Sequence, residues 1–201
     1  MIRDYMIKDT TAGVLPYRTV LADPPWDFND KLDKTRRKPY PTLTLVEIED
    51  LKVEDLVGKQ AHLYLWCPGT LLDEGIQVVK DWGFDYKQII PWLKRTKNGK
   101  IHFGMGHYYR NCFEFLLFGT RGNMKLKTNN TRNFIDAVKP DRHHSAKPDE
   151  AYEVIEKNSE PPYIELFATS VRKGWSAWGW EIDHMDIRQH FLLFDKEYQF
   201  R

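Results

Sequence analysis

The sequence predicts an α/β protein built on a mostly parallel sheet with helices on both faces. Two observations predict it. Short apolar runs alternate along the chain with stretches of helical periodicity. Those runs are continuous rather than alternating, as in strands buried on both sides. With 201 residues, 41% of them hydrophobic, and no repeat or low-complexity tract, one domain with a proper core is expected.

The first element is a strand over 18–22 (RTVLA), which stops at Asp23-Pro24-Pro25. Residues 45–57 carry apolar positions at helical spacing with acidic residues between them. A buried strand follows over 61–67 (AHLYLWC), closed by Pro68-Gly69. Thr70 is then expected to cap a helix over 71–82, with an acidic first turn and Gly83 just past its end. Further strands are predicted over 86–93 and 112–119. Pro148 and Asp149 open a helix within 145–158 that sets Ala151, Tyr152 and Ile155 on one face. A strand over 163–168 (YIELFA) and an aromatic-rich segment over 174–182 close the unit. The tail, 184–201, receives no element, although Phe191-Leu192-Leu193-Phe194 is expected to pack on the domain or on a partner.

Charge and cysteine content exclude several classes. Thirty Lys+Arg stand against 29 Asp+Glu, a net of +1, so any nucleic-acid contact must come from local patches. Two cysteines, Cys67 and Cys112, make neither a four-Cys zinc site nor a disulfide framework, and both read as buried thiols in a reducing compartment. Nothing approaches the roughly 20 apolar residues of a membrane span, and the N-terminus carries charges where a signal peptide would be apolar. A cytoplasmic, bacterial or phage-like domain is expected.

In a parallel sheet covered on both faces, ligands bind beyond the carboxyl ends of the strands. Asp23-Pro24-Pro25-Trp26 stands at such an end. Its two prolines fix two φ angles and leave a stiff turn with its carbonyls available. The exocyclic amine of adenine is a poor nucleophile, because its lone pair is delocalised into the ring. Two fixed acceptors can take hydrogen bonds from both of its N–H groups and draw the nitrogen towards a tetrahedral shape. The Asp23 carboxylate and Pro24 carbonyl suit that task, with Trp26 as a stacking plane, worth about 1–3 kcal/mol per base. A base inside a duplex must be turned out of the stack to reach such a pocket.

Asp23-Pro24-Pro25-Trp26, followed by Tyr40-Pro41-Thr42 and an acidic helix, resembles the DPPW adenine-N6 methyltransferases of the MT-A70 type, which act on RNA in eukaryotes and on DNA in bacteria and phages. Leu63-Tyr64-Leu65-Trp66, Trp82-Gly83-Phe84 and Trp92-Leu93-Lys94 resemble the family's next blocks. So do Gly106-His107-Tyr108-Tyr109-Arg110-Asn111 with Glu114, His144-Ser145-Ala146-Lys147-Pro148-Asp149-Glu150, Ile164-Glu165-Leu166-Phe167-Ala168, and Gly174-Trp175 with Trp178-Gly179. The resemblance runs over about residues 18–182. It implies a Rossmann-like class I methyltransferase fold in permuted motif order, S-adenosylmethionine as methyl donor, no metal, and a tendency to pair as homo- or heterodimers.

On the donor side the resemblance sets Lys147 against the methionyl carboxylate, with His144, Ser145 and Phe167 around the cofactor. Two positions depart from the family pattern. Thr169 stands where an Arg usually holds the ribose, and Trp180 where an Asn is usual, with Glu181 next. Thr169 can donate one hydrogen bond and Glu181 can accept from a hydroxyl, with Arg172 as a nearby cation. On the nucleic-acid side, Lys34, Arg36, Arg37 and Lys38 with Tyr40 follow the tetrad, and Lys94 and Arg95 follow the Trp92 strand. Both groups are expected to meet phosphates, with His107 and Tyr108 offering further stacking. DNA is the favoured substrate. RNA, or a weakly active member serving as a nucleic-acid-binding scaffold subunit, are the alternatives.

Overall fold

The computed structural model describes residues 16–26, 42–106, 108–141 and 146–199. One seven-stranded sheet organises them, in the order β5-β3-β4-β2-β1-β6-β7. The strands are β1 (Tyr17–Ala22), β2 (Val57–Cys67), β3 (Asp85–Arg95), β4 (Phe113–Arg121), β5 (Ile135–Val138), β6 (Tyr163–Leu166) and β7 (Trp175–Trp178). β4 runs antiparallel to both its neighbours, and every other pairing is parallel. The expected α/β, mostly parallel, Rossmann-like architecture is the one observed.

Alternation divides the strand side chains between two cores. On one face Val20, Ala22, Leu63, Leu65, Leu117, Ile164 and Leu166 are buried under helices α1 (Leu45–Glu49) and α2 (Leu72–Asp81). Ile187, Phe191 and Phe194 of α5 (Ile187–Gln199) pack on the same side, with both phenylalanines edge-on to Trp178. On the other face Leu21, Tyr64, Trp66, Ile90, Trp92 and Leu116 meet Ala151 and Ile155 of α3 (Asp149–Asn158). A four-residue helix α4 (Trp180–Asp183) links β7 to α5. No helix among the described residues is long and apolar enough to cross a membrane.

The elements depart from the sequence expectations in places with local causes. The helical stretch after residue 45 is short. Thr44 caps α1 reciprocally with Glu47, the chain leaves the helix at Asp50, and a 3-10 turn over Val53–Leu56 delivers it into β2. Thr70 does not cap α2. The Leu71 N–H bonds the Pro68 carbonyl at 3.0 Å, which makes a 3-10 turn first, and α2 begins at Leu72 with no side-chain cap. Gly83 does sit past the helix end with φ +77°. Cys67 is buried, but Cys112 lies just ahead of β4 and is only half-buried. β5 and α5 are elements the sequence did not announce, β5 because four residues carry too little periodicity.

Gly75 is the tightest point of α2. A Cβ there would lie 2.5 Å from the Cys67 sulfur and 2.9 Å from Leu117 Cδ1. Alanine would gain about 1 kcal/mol of helix propensity, yet overpacking a core of this density costs about 1–3 kcal/mol. Gly75→Ala is therefore expected to lower the thermal midpoint, and a midpoint held or raised would show that the helix can shift off the sheet.

Candidate active site

The same alternation assembles the site. Asp23 lies two residues beyond Leu21, Trp66 two beyond Tyr64, Trp92 and Lys94 follow Ile90, and Glu114 precedes Leu116 by two. All of these belong to the face covered by α3. Because β4 is antiparallel, its first residues stand beside the last residues of β2 and β3, so Glu114 pairs with Trp92 and Leu116 with Trp66. The Asp23 N–H continues the ladder to the Leu166 carbonyl at 3.3 Å. Lys147 enters from the segment just before α3.

The result is a line of alternating charge over indole rings. Lys147 Nζ stands 2.5 Å from Asp23 Oδ2 and 3.9 Å from Glu114 Oε1, and Lys94 Nζ stands 3.3 Å from Glu114 Oε2. The Lys147 ammonium lies 5.4 Å from the Trp66 ring centroid, and that of Lys94 5.0 Å from the Trp92 centroid. The two rings meet edge to face at 6.0 Å. Burial pushes the Asp23 carboxyl above its ordinary value, and the Lys147 charge pulls it back only in part. At Lys147 burial acts downward, but Asp23, Glu114 and Glu165 together outweigh it and raise the ammonium. The lysine therefore stays charged.

Behind this line lies a buried acid. Glu165, 8% exposed on β6, accepts from the Tyr152 hydroxyl at 2.9 and 3.0 Å. Burial raises its pKa from 4.5 to about 7, against the Tyr152 hydrogen bond. Arg172 caps the cluster, with its guanidinium 4.4 Å from the Tyr152 ring centroid, 3.1 Å from Glu156 and 3.3 Å from Asp149. Trp175 Nε1 donates to the same Glu156 at 2.8 Å.

A carboxylate beyond β1, answered by a lysine 124 residues away, is the arrangement that the tetrad and the 144–150 segment jointly imply. The MT-A70 family model matches residues 17–181. The chain belongs to the MT-A70 family. It is 30% identical over 188 residues to the type II methyltransferase M.MunI of a Mycoplasma species, a match that covers 83% of this chain and 78% of that one. It is 32% identical over 189 residues to the N(6)-adenosine-methyltransferase subunit METTL3 of Danio rerio, and 31% identical over 176 residues to the human catalytic subunit METTL3. Those matches cover 90% and 85% of this chain but only 31% and 29% of the METTL3 chains. The family expected from the tetrad is thus the family found. With it come methyl transfer as the activity and S-adenosylmethionine as the donor.

MT-A70 membership leaves the individual residues to the geometry. Trp26 departs from the sequence reading, and the Pro24 carbonyl is partly engaged. The Pro24 carbonyl already accepts the Trp26 N–H at 2.8 Å, which leaves it one lone pair for a ligand. Trp26 is 6% exposed, packs in the first core, and its Nε1 donates to the Trp66 carbonyl at 3.0 Å. Its ring is held as structure rather than presented as a stacking plane. Pro25 is half-buried beside them. Arg172 is a second departure, because its guanidinium is spent on Glu156, Asp149 and the Tyr152 ring, which makes it a brace of α3 rather than a cation available to a cofactor.

Thr169 and Phe167 do lie directly beyond β6. Phe167 adopts φ +63°, a left-handed conformation uncommon for a bulky residue. This breaks the alternation and lets its ring pack against the first core. Trp180, 38% exposed, and the exposed Glu181 open α4. On the nucleic-acid side, Lys94 turns inward to Glu114, and Arg95 is held bidentately by Asp136 at 2.7 and 2.8 Å. Neither presents an uncompensated charge to phosphate. Tyr108 is 97% exposed. Lys34, Arg36, Arg37, Lys38, Tyr40, His107, His144 and Ser145 lie outside the described residues.

Glu114, Glu165, Trp66 and Trp92 are site residues that side-chain type alone did not single out. Arg172→Ala is expected to lower the thermal midpoint while leaving S-adenosylmethionine affinity unchanged, and calorimetric titration showing weaker cofactor binding would contradict the bracing role. Glu165 gives a pH signature. In the unfolded chain its proton leaves near 4.5, and in the folded protein it stays until about 7. The contribution is full below about 4.5 and is lost as pH rises through about 7. Urea unfolding of wild type and Glu165→Gln should therefore diverge by about 3 kcal/mol between about pH 4 and about pH 8. Parallel curves would contradict the buried acid.

Proposed function

We propose that the chain methylates the exocyclic N6 of adenine in DNA, with Asp23 as the acceptor that takes a hydrogen bond from the amino group. The observation that carries this reading is the half-buried Asp23 carboxylate at the carboxyl end of β1, kept in a charged network by Lys147 and Glu114. A carboxylate fixed before substrate arrives needs no reorganisation when the nitrogen gains positive charge as the new N–C bond forms. The remaining lone pair of the Pro24 carbonyl supplies a second acceptor at the same turn. The indoles of Trp66 and Trp92 give the site an apolar floor that keeps water from competing for the amine.

The donor set fits S-adenosylmethionine unevenly. Lys147, a buried ammonium, suits a carboxylate. Beyond β6 the Ala168 N–H bonds the Trp178 carbonyl at 2.9 Å, and the backbones pass so closely that a Cβ on Gly179 would collide with Ala168. Thr169 and Glu181 offer one hydroxyl and one carboxylate to ribose oxygens. The bound donor supplies a methyl group made electrophilic by its sulfonium. Lys147 would face its carboxylate, and Thr169 and Glu181 its ribose.

DNA is supported over RNA by the size relation. The match to the type II methyltransferase M.MunI spans 78% of that chain, whereas the matched part of the METTL3 chains is less than a third of their length. The test is to incubate the protein with labelled S-adenosylmethionine and adenine-containing DNA or RNA, then digest and look for N6-methyladenine. Label in the DNA arm is expected, and Asp23→Ala should reduce it by at least a hundredfold, as loss of one preorganised group does elsewhere (roughly 10²–10³). Label confined to RNA would reassign the substrate, and an Asp23→Ala variant as active as wild type would remove Asp23 from the chemistry.

A further inference from the structure

Trp66 is 1% exposed, and its indole N–H has no hydrogen-bond partner among the described residues. Other indoles of the molecule make the contrast. Trp26 Nε1 donates to the Trp66 carbonyl at 3.0 Å, Trp82 Nε1 to Ile48 at 2.8 Å, Trp92 Nε1 to Ala137 at 3.1 Å and Trp175 Nε1 to Glu156 at 2.8 Å. Buried donors are rarely left unmade, because desolvation is then uncompensated. Phenylalanine would fill most of the same space without that penalty. The orphan also lies at the chemistry. The register that pairs Ala22 with Leu65 brings Asp23 beside Trp66. One ammonium, that of Lys147, stands both 2.5 Å from the Asp23 carboxylate and 5.4 Å from the Trp66 ring centroid.

We propose that the Trp66 indole N–H is the orienting donor for the substrate base, bonding a ring nitrogen that flanks the adenine amino group. The proposal rests on the adenine-N6 reading above. Adenine carries an acceptor nitrogen on each side of C6–NH₂, N1 on one edge and N7 on the other. A base held through its amino group alone can pivot in its own plane. A second in-plane bond to a neighbouring ring nitrogen stops the pivot and aims the amine at its acceptor. The acceptor and the donor required are a carboxylate and an N–H on one face of the sheet, which Asp23 and Trp66 supply. Lys147 ties the two groups together, because its ammonium holds Asp23 through Oδ2 and lies 5.4 Å from the Trp66 ring centroid, and the amino group takes the other carboxylate oxygen.

The experiment compares wild type and Trp66→Phe on three otherwise identical oligonucleotides, carrying adenine, 1-deazaadenine or 7-deazaadenine at the target position. Trp66→Phe keeps an aromatic ring and removes the donor. It should hold or raise the thermal midpoint while kcat/KM on adenine falls about tenfold. In wild type the analogue lacking the contacted nitrogen should lose a similar factor relative to the other analogue, and in Trp66→Phe that difference should vanish, which also tells N1 from N7. Unchanged kcat/KM in Trp66→Phe, or the same analogue preference in both proteins, would overturn the proposal. Should the variant fail to fold, wild-type binding decides, and equal affinity for all three oligonucleotides overturns it. Failure of wild type to methylate adenine would instead sink the underlying function and not this contact alone.

Discussion

The ion pair between Lys147 and Asp23 is the constraint on which the rest of the site depends. An isolated carboxylate on the inner face of a sheet is too costly to desolvate, and removing one partner of a buried pair typically costs about 3–5 kcal/mol. The strand end beyond β1 can carry an acid only because the head of α3 delivers a cation to the same place. Glu114 extends the arrangement by giving the ammonium a second carboxylate at 3.9 Å and drawing Lys94 in from β3. The site is therefore built by parts of the chain far apart in sequence, and none of its charges is supported by its own element.

The period-2 geometry of strands selects which residues take part. Asp23, Trp66, Trp92, Lys94 and Glu114 occupy the positions whose side chains point towards α3, as Leu21, Tyr64, Ile90 and Leu116 do deeper in the sheet. Towards the middle of the strands these positions are apolar, and at the ligand end of β1, β3 and β4 they turn charged. A carboxylate at the inward position of an otherwise apolar run, as in Phe-Glu-Phe-Leu-Leu-Phe or Tyr-Ile-Glu-Leu, is thus a readable signal. Burial penalises it, so some partner or ligand must compensate.

Much of the fold could be read from the chain. Continuous apolar runs locate β1 to β4 and β6 within a few residues, and the tetrad and the 144–150 segment mark Asp23 and Lys147. What failed did so for three-dimensional reasons. The tetrad suggests Trp26 as a stacking plane for the base, yet the Trp66 carbonyl holds its indole in the core. Arg172 and Arg95 were read as available cations, yet Glu156 and Asp136, 16 and 41 residues away, neutralise them. A sequence shows that a charge exists but does not show what it will pair with. Glu165 makes the same point in reverse, because burial in the fold, with the Asp23 charge nearby, moves its titration towards neutrality against the Tyr152 hydrogen bond.

At the cofactor end, backbone and side chain carry different information. The left-handed Phe167, the Ala168 bond to Trp178 and the crowded Gly179 fix how the ends of β6 and β7 approach each other. These features depend on glycine and on main-chain geometry, and the side chain of Thr169 takes no part in them. Arg172 adds no available cation there, because its guanidinium is held by Glu156, Asp149 and the Tyr152 ring. The backbone at this end of the sheet is thus set by main-chain bonds and close packing, independently of the side chain at position 169.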